Sequence, residues 1–483
     1  MKIVLAASEA VPFCKTGGLA DVVGAMAQKL GAAGHDVLLA LPKYRSVESA
    51  VLQGGAAQAL PVPLGTRTLE VGLRYMQRRS VSVCLLDYPP FFDREGLYGH
   101  DGSDYPDNDR RFILFQRGAL EAVKRLGFKP DILHVHDWQT GLMPLLLKRH
   151  YAQEPLFSRT ASVMTVHNMA YQGLFAPDCL EAAGLPWEDF SPEGLEYYGK
   201  VSFLKAGLAF ADRLTTVSPN YAREIQSSGE RGFGMEGLLR RRSASLSGVL
   251  NGIDLDVWNP RRDPALPRRY GVGERATGKA DCKASLQREA GLPARPGSPL
   301  VGVVSRLDYQ KGLDIAIRAL EPRLGRCQLA VVGTGDMALQ QELWGLARRH
   351  PGLVHFHRGF DDAFAHRLYA ACDIFLMPSR FEPCGLGQMI AMRYGAVPVA
   401  SRTGGLADTV FERPAREANG FICEPADEAS LGSALDRALE AFGTPAWDAL
   451  ADAGMSRDFS WEGSIKRYLE LYESARRERV KEP

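Results

Sequence analysis

Several absences narrow what this chain can be. Neither sign of charge dominates, with 58 Lys and Arg against 57 Asp and Glu, so no global field holds a nucleic acid or an anionic membrane, and any anion site is built locally. No apolar run approaches the ~20 residues of a membrane span; the runs are strand-sized. The first apolar run enters a strand at residue 2, so no signal or transit peptide is expected ahead of it. The eight cysteines, at 14, 84, 179, 282, 327, 372, 384 and 423, include no C-x-x-C pair and no regular spacing. That scatter suits a reducing, cytoplasmic setting. At 483 residues a single core is also excluded, and two domains of roughly 200 to 250 residues are expected.

What is present is an α/β alternation. Apolar runs at 2–7, 37–41, 81–87, 131–136, 162–167 and 213–218 predict strands separated by amphipathic stretches, the pattern of a parallel sheet wrapped by helices. Residues 61–87 read as a hairpin inserted into that sheet, and 87–109, rich in Pro, Gly, Tyr and Asp, as a long loop of the kind that carries function. A second series follows at 300–304, 328–332, 353–357, 374–377, 397–400 and 420–423. Between the two, residues 259–297 read as a connection with surface loops, with a hinge near 248–255. The tail 461–480 predicts one amphipathic helix with Ile465, Tyr468, Leu469 and Tyr472 on one face.

The pivotal stretch is Lys15-Thr16-Gly17-Gly18-Leu19-Ala20-Asp21-Val22-Val23, a turn from the first strand into a helix over about 20–34. Its glycines let backbone N–H groups press against a ligand at the positive end of the helix dipole, so an anionic guest is expected, with Lys15 as a mobile charge beside it. Asp21 caps N–H groups or accepts a sugar hydroxyl. Alone, such a turn fits a simple strand-to-helix junction equally well. The tie is broken by a second copy, Arg402-Thr403-Gly404-Gly405-Leu406-Ala407-Asp408-Thr409-Val410, identical at seven of nine positions.

These paired motifs resemble those of bacterial glycogen synthases and plant starch synthases, retaining glucosyltransferases that use ADP-glucose. The resemblance implies an α/β GT-B fold, two Rossmann-like domains facing across a deep interdomain cleft. It places an N-terminal, glucan-acceptor domain at 1–250 and a C-terminal, nucleotide-sugar domain at 251–457, with a helix at 458–483 returning to the first domain. The implied reaction moves glucose from ADP-glucose to the non-reducing 4-hydroxyl of an α-1,4-glucan such as glycogen, with retention and without metal or other cofactor. Neither a membrane nor a nucleic acid is an expected partner. The alternatives are a relative that uses UDP-glucose or another acceptor, such as a sucrose-type synthase, and a catalytically silent glucan- or nucleotide-binding protein.

Further motifs carry the chemistry. Ser305-Arg306-Leu307-Asp308-Tyr309-Gln310-Lys311-Gly312 follows a strand, at the edge where open sheets bind ligands. Arg306 offers a planar fork of donors and Lys311 a compact charge, which together suit a diphosphate leaving group. Arg380-Phe381-Glu382-Pro383-Cys384-Gly385-Leu386-Gly387 puts Glu382 on a loop toward the cleft, with Cys384, Gly385 and Leu386 presenting a helix start to a sugar hydroxyl or phosphate. By resemblance Glu382 belongs to the catalytic sugar site. The wider superfamily has a second Glu eight residues on, where this chain has Ile390, so a two-carboxylate scheme does not carry over.

His134-Val135-His136-Asp137-Trp138 closes another strand. The two histidines share a face, but no further cluster supports a metal, and partly buried rings are the better reading. Asp137 and Trp138 emerge at the strand end, where Trp138 offers sugars a flat apolar face. Thr165-Val166-His167-Asn168 repeats the pattern, and resemblance puts His167 near the anomeric carbon with Asn168 beside it. Resemblance also makes Lys283 a donor-binding lysine, although Cys282 replaces the usual Asn before it. Gly333-Thr334-Gly335 with Ala338 satisfies G-x-G-x-x-A, yet Val354-His355-Phe356-His357-Arg358 lacks the acid a dinucleotide site needs, so NAD is disfavoured. Residues 355–360 then line the nucleobase pocket.

Overall fold

The structure, a computed structural model, describes residues 1–47, 57–100 and 102–481. Asp101 of the expected 87–109 loop and residues 482–483 of the expected tail lie outside them. The chain forms two compact units. The first comprises residues 1–217, 222–251 and 461 onward, and the second residues 218–221 and 252–460.

The first unit is built on strands β1 (Lys2–Ala6), β2 (Asp36–Pro42), β3 (Gln58–Leu64), β4 (Arg67–Arg78), β5 (Val81–Asp87), β6 (Ile132–His136), β7 (Ala161–Val166), β8 (Arg213–Thr216) and β9 (Leu246–Gly248). Their order is β9-β8-β7-β6-β1-β2-β5-β4-β3. All neighbours run parallel except at one edge, where β4 pairs antiparallel with both β5 and β3. Ile3, Val4, Leu5 and Ala6 are wholly buried, as a sheet covered on both faces requires. The chain runs outward from β1 through β2 to β5, then returns to β6 on the other side of β1. That reversal between β1 and β6 is where open α/β sheets bind ligands.

The second unit repeats the plan with β10 (Leu300–Val304), β11 (Gln328–Gly333), β12 (Val354–Arg358), β13 (Ile374–Met377), β14 (Val397–Ser401) and β15 (Phe421–Cys423). The order β12-β11-β10-β13-β14-β15 is parallel throughout, a Rossmann arrangement with its switch point between β10 and β13. Val301, Val303, Leu329, Val331, Ile374, Leu376, Val397 and Val399 form the heart of its core.

Every expected strand is present to within two residues. The hairpin at 61–87 is β3, β4 and β5, and the loop at 87–109 holds a short helix, Pro89–Phe92, and two paired two-residue strands. One expectation fails. Residues 259–297 are not only connection and surface loop, because they contain a 15-residue helix, Arg275–Glu289. The tail helix Trp461–Lys481 belongs to the first unit, packed on helix Gly18–Ala32 and β7. Tyr468 and Tyr472 on it are fully buried, Ile465 nearly so, and Leu469 is half-buried.

Candidate active site

In the first unit the expected residues gather on loops at the carboxyl edge around the β1/β6 switch point. Helix Gly18–Ala32 begins just after Gly17. A Cβ added to Gly17 would meet nothing within 4 Å, so the turn's surface is open. Lys15 Nζ lies 2.9 Å from Asp21 Oδ1, with both side chains well exposed. Such a surface pair contributes roughly 0–1 kcal/mol, so Lys15 can exchange Asp21 for an anionic ligand at little cost.

The turn is braced from below by Glu9, which sequence reasoning overlooked. Its buried carboxylate accepts from Thr16 N at 2.5 Å, Thr16 Oγ1 at 2.8 Å and Tyr98 Oη at 2.6 Å. Tyr98 comes from the 87–109 loop, so that loop is tied to the glycine turn. A lone acid within the largely apolar 6–14 stretch was the only sequence signal for it.

After β6, Asp137 adopts a positive φ of 57° and turns its carboxylate onto the next loop. Oδ1 accepts the backbone N–H of His167 at 2.7 Å. Burial pushes the Asp137 carboxyl up to about 7, against the pull of the His167 and Asn168 backbone donors. Its role is therefore to hold the His167 loop. The His167 ring meets His136, Nε2 to Nδ1 at 3.0 Å, while His134 is held by Tyr472 Oη at 2.7 Å and Thr165 Oγ1 at 2.6 Å. Burial pushes His134 and His167 down to about 3 and His136 well below its usual value, so all three rings are neutral near pH 7. Among the described residues no group of three or more His, Cys, Asp or Glu could hold a metal. Trp138 is half-buried among Phe112, Phe175 and Phe203, with centroids at 4.9, 5.5 and 6.5 Å. Asn168 Oδ1 accepts from Ala170 N at 3.0 Å within its own turn.

In the second unit the β10/β13 switch point carries the two central motifs. Lys311 Nζ stands 2.6 Å from Glu382 Oε2, which also accepts from Ser379 Oγ at 3.0 Å. Glu382 is 5% exposed. Arg306, on the same loop as Lys311, is partly exposed and lies 3.4 Å from Asp308. Gly312 makes the close approach of the two loops possible: its φ is +65°, and a Cβ there would come within 2.2 Å of Pro378 O. Cys384 is buried and Gly385 takes a φ of +70° before helix Gly387–Arg393, in which Ile390 is buried. The position of the superfamily's second carboxylate is thus core.

The duplicated turn has two different fates. In the second copy Gly405 N donates to the carbonyls of Glu382 and Pro383, both at 3.1 Å, and a Cβ on Gly404 or Gly405 would fall 1.8 Å from Glu382 O or 2.0 Å from Cys384 O. It supports the Glu382 loop instead of presenting an open anion cradle. Asp408, counterpart of Asp21, accepts from Ser218 Oγ at 2.7 Å and Asn220 N at 2.9 Å. Gly333 and Gly335 do a similar job, with Leu307 N donating to Thr334 O at 2.9 Å and Asp336 N to Leu307 O at 2.7 Å. The G-x-G turn thus buttresses the Arg306 loop. Of residues 355–360, Phe360 is 75% exposed beyond β12, whereas His355 packs near Phe364, at 5.7 Å.

Lys283 does not join this site. It lies on helix Arg275–Glu289, and its amine bonds Ser298 O and Asp373 Oδ2, each at 2.6 Å. The same Asp373 oxygen accepts from Leu300 N at 2.8 Å. Both partners precede β10 and β13, at the amino edge of the sheet, opposite the edge that carries Arg306, Lys311 and Glu382. Its partners there tie the helix to the amino edge of the sheet.

Residues 2–241 match the starch synthase catalytic domain family, and residues 298–441 the glycosyl transferases group 1 family. A glycogen synthase of Syntrophotalea carbinolica is 48% identical over 480 residues, covering 98% of this chain and 99% of that protein. One of Elusimicrobium minutum is 46% identical over 476 residues, with 98% and 99% covered. Among solved structures, the catalytic domain of starch synthase IV from Arabidopsis thaliana, bound to ADP and acarbose, superposes with a TM-score of 0.90 at 34% identity, covering 98% of this chain and 99% of that one. A sucrose-phosphate synthase from Thermosynechococcus elongatus shares the fold alone, with a TM-score of 0.61 at 19% identity and 98% of each chain covered.

Proposed function

Since the chain belongs to the glycogen and starch synthase family of glycosyltransferases, we propose that it elongates an α-1,4-glucan with glucose from ADP-glucose, retaining the anomeric configuration. The observation that carries this reading is the Lys311–Glu382 pair at the switch point of the second sheet, 2.6 Å apart, with Arg306 on the same loop as Lys311.

As the glycosidic phosphate bond breaks, negative charge grows on the departing diphosphate. Arg306 and Lys311 are fixed cations that stabilise it, each contributing roughly 3 kcal/mol if well placed. Glu382 is an acceptor for glucose hydroxyls and a counter-charge to the oxocarbenium-like centre. The open Gly17–Gly18 turn and Lys15 take anionic oxygen, and neutral His167 offers the sugar an uncharged hydrogen-bonding group. Phe360 has the exposed flat face a nucleobase needs. Trp138 supports the acceptor side through its apolar face.

The test supplies ADP-glucose or UDP-glucose with glycogen and measures nucleoside diphosphate release and chain growth. The reading expects ADP release coupled to glucan elongation and at most weak UDP release. A preference for UDP-glucose, or nucleotide release without elongation, contradicts it.

A further inference from the structure

The loops that bring Lys311 to Glu382 are joined by a side chain outside the site just described. Arg380 leaves the second loop and reaches the first in four ways. Its backbone N–H donates to Gln310 O at 2.9 Å. Its Nη1 donates to Tyr309 O at 2.9 Å. Its guanidinium holds both oxygens of Asp314, Nη1 to Oδ1 at 2.8 Å and Nη2 to Oδ2 at 2.7 Å. It also lies 4.0 Å from the ring centre of Tyr309.

A forked ion pair fixes both distance and plane, as a lysine cannot. Asp314 sits in the first turn of helix Leu313–Leu320, two residues after Gly312, so the pair anchors the end of the Lys311 loop to the start of the Glu382 loop. Hydrogen bonding to Arg380 holds the Asp314 carboxyl down to about 2, so the pair is ionised near pH 7. Lys311 and Glu382 are each within three residues of this brace. Nothing else in the proposed chemistry needs Arg380 or Asp314.

We propose that Arg380 and Asp314 form a positioning brace that sets the Lys311–Glu382 geometry for glucosyl transfer, a role that rests on the donor-site reading above. Neither residue touches the reacting atoms. Their effect is on turnover through the placement of two groups that do. A displacement of about 1 Å in such groups costs on the order of 100-fold in rate.

The experiment compares Arg380→Lys, Asp314→Asn, the double variant and Arg318→Ala with the parent enzyme. Arg318 also contacts Asp314, at 3.2 Å, but joins no loop of the site, so its loss controls for Asp314's other partner. Steady-state kcat and KM for the donor, ADP binding stoichiometry and thermal midpoints are read together. The brace predicts that kcat falls about 10- to 100-fold in both single variants, with donor KM within about threefold and full ADP stoichiometry. The double variant should be no worse than the poorer single one, since partners in one network are non-additive, and Arg318→Ala should keep parental kcat. Parental kcat in Arg380→Lys and Asp314→Asn overturns the brace. So does a loss explained by a smaller folded fraction, or losses that simply multiply. Lys311→Ala and Glu382→Gln run alongside: if those retain full turnover, the donor-site reading itself is wrong and the brace falls with it.

Discussion

Lys311 Nζ and Glu382 Oε2 are 2.6 Å apart on loops 71 residues distant in sequence, with the carboxylate almost wholly buried. A buried ion pair of this kind contributes less to stability than its distance suggests, because both charges are desolvated. The function proposed above gives each charge a separate task at the sheet's switch point: the ammonium is to meet phosphate and the carboxylate sugar.

Lys311→Met should therefore weaken ADP binding and slow turnover together. Loss of one charge-assisted hydrogen bond corresponds to about 1.5–3 kcal/mol, or roughly 10- to 100-fold in Kd. Calorimetric titration with ADP measures it. Unchanged affinity would remove Lys311 from the diphosphate site.

The two glycine turns should respond in opposite ways. Gly17→Ala adds a methyl to open space and should shift stability by no more than about 0.5 kcal/mol. Gly405→Ala drives a methyl against Cys384 O, where overpacking costs about 1–3 kcal/mol, and it displaces the Glu382 loop. Thermal melts and turnover of both variants check this. Equal tolerance would mean that the second turn does not support that loop.

Lys283→Met should act on the fold. Its loss leaves Asp373 without the ammonium that pairs with it, and breaking a buried pair typically costs about 3–5 kcal/mol. A lowered denaturation midpoint with parental donor KM in the surviving enzyme is expected. A raised KM with unchanged stability would instead support a donor-binding role for Lys283.

The histidine cluster gives a pH dependence with a definite sign. An unfolded imidazole titrates near 6.5, but His134 and His167 stay neutral down to about 3. Between those values the unfolded chain binds more protons, so the stability from these rings is full above pH 6.5 and is lost as pH falls toward 3. Asp137 opposes this, since its carboxyl, raised to about 7 in the fold, contributes stability at low pH that is lost as pH rises through 7. With three rings against one carboxyl the net slope is positive. Thermal midpoints from pH 4 to 7 should rise, more steeply in Asp137→Asn and less steeply in His134→Gln. Asp137→Asn should also keep more activity than Asp137→Ala, because its amide oxygen still accepts the His167 N–H.

The sheets were readable because buried parallel strands are near-continuous apolar runs, as in Leu300–Val304 and Gln328–Gly333. Helix Arg275–Glu289 was not, because the face it buries mixes Arg275, Lys279, Lys283 and Gln287 with Gly278, Cys282 and Leu286, a helical spacing with little apolar signal. Lys279 and Lys283 end on backbone carbonyls and Asp373, partners that no local pattern reveals. Resemblance alone marked Lys283 as a donor-binding group, and it carries no information on these partners. The motif residues Arg306, Lys311 and Glu382 could be picked out from their place after strands. Glu9 and Arg380 act through long-range contacts to Tyr98 and Asp314, which only the fold creates. The duplicated turn looked like one device used twice. Packing of Gly404 and Gly405 against the Glu382 loop gave the second copy a different task.

The most direct test is Glu382→Gln, assayed for glucose transfer from ADP-glucose to glycogen and, on the same preparation, titrated with ADP. Turnover should fall about 100- to 1,000-fold, the range seen when one transition-state-stabilising group is removed, while ADP Kd stays within about threefold of the parent. Near-parental turnover in a variant that still binds ADP would contradict the role given to this carboxylate.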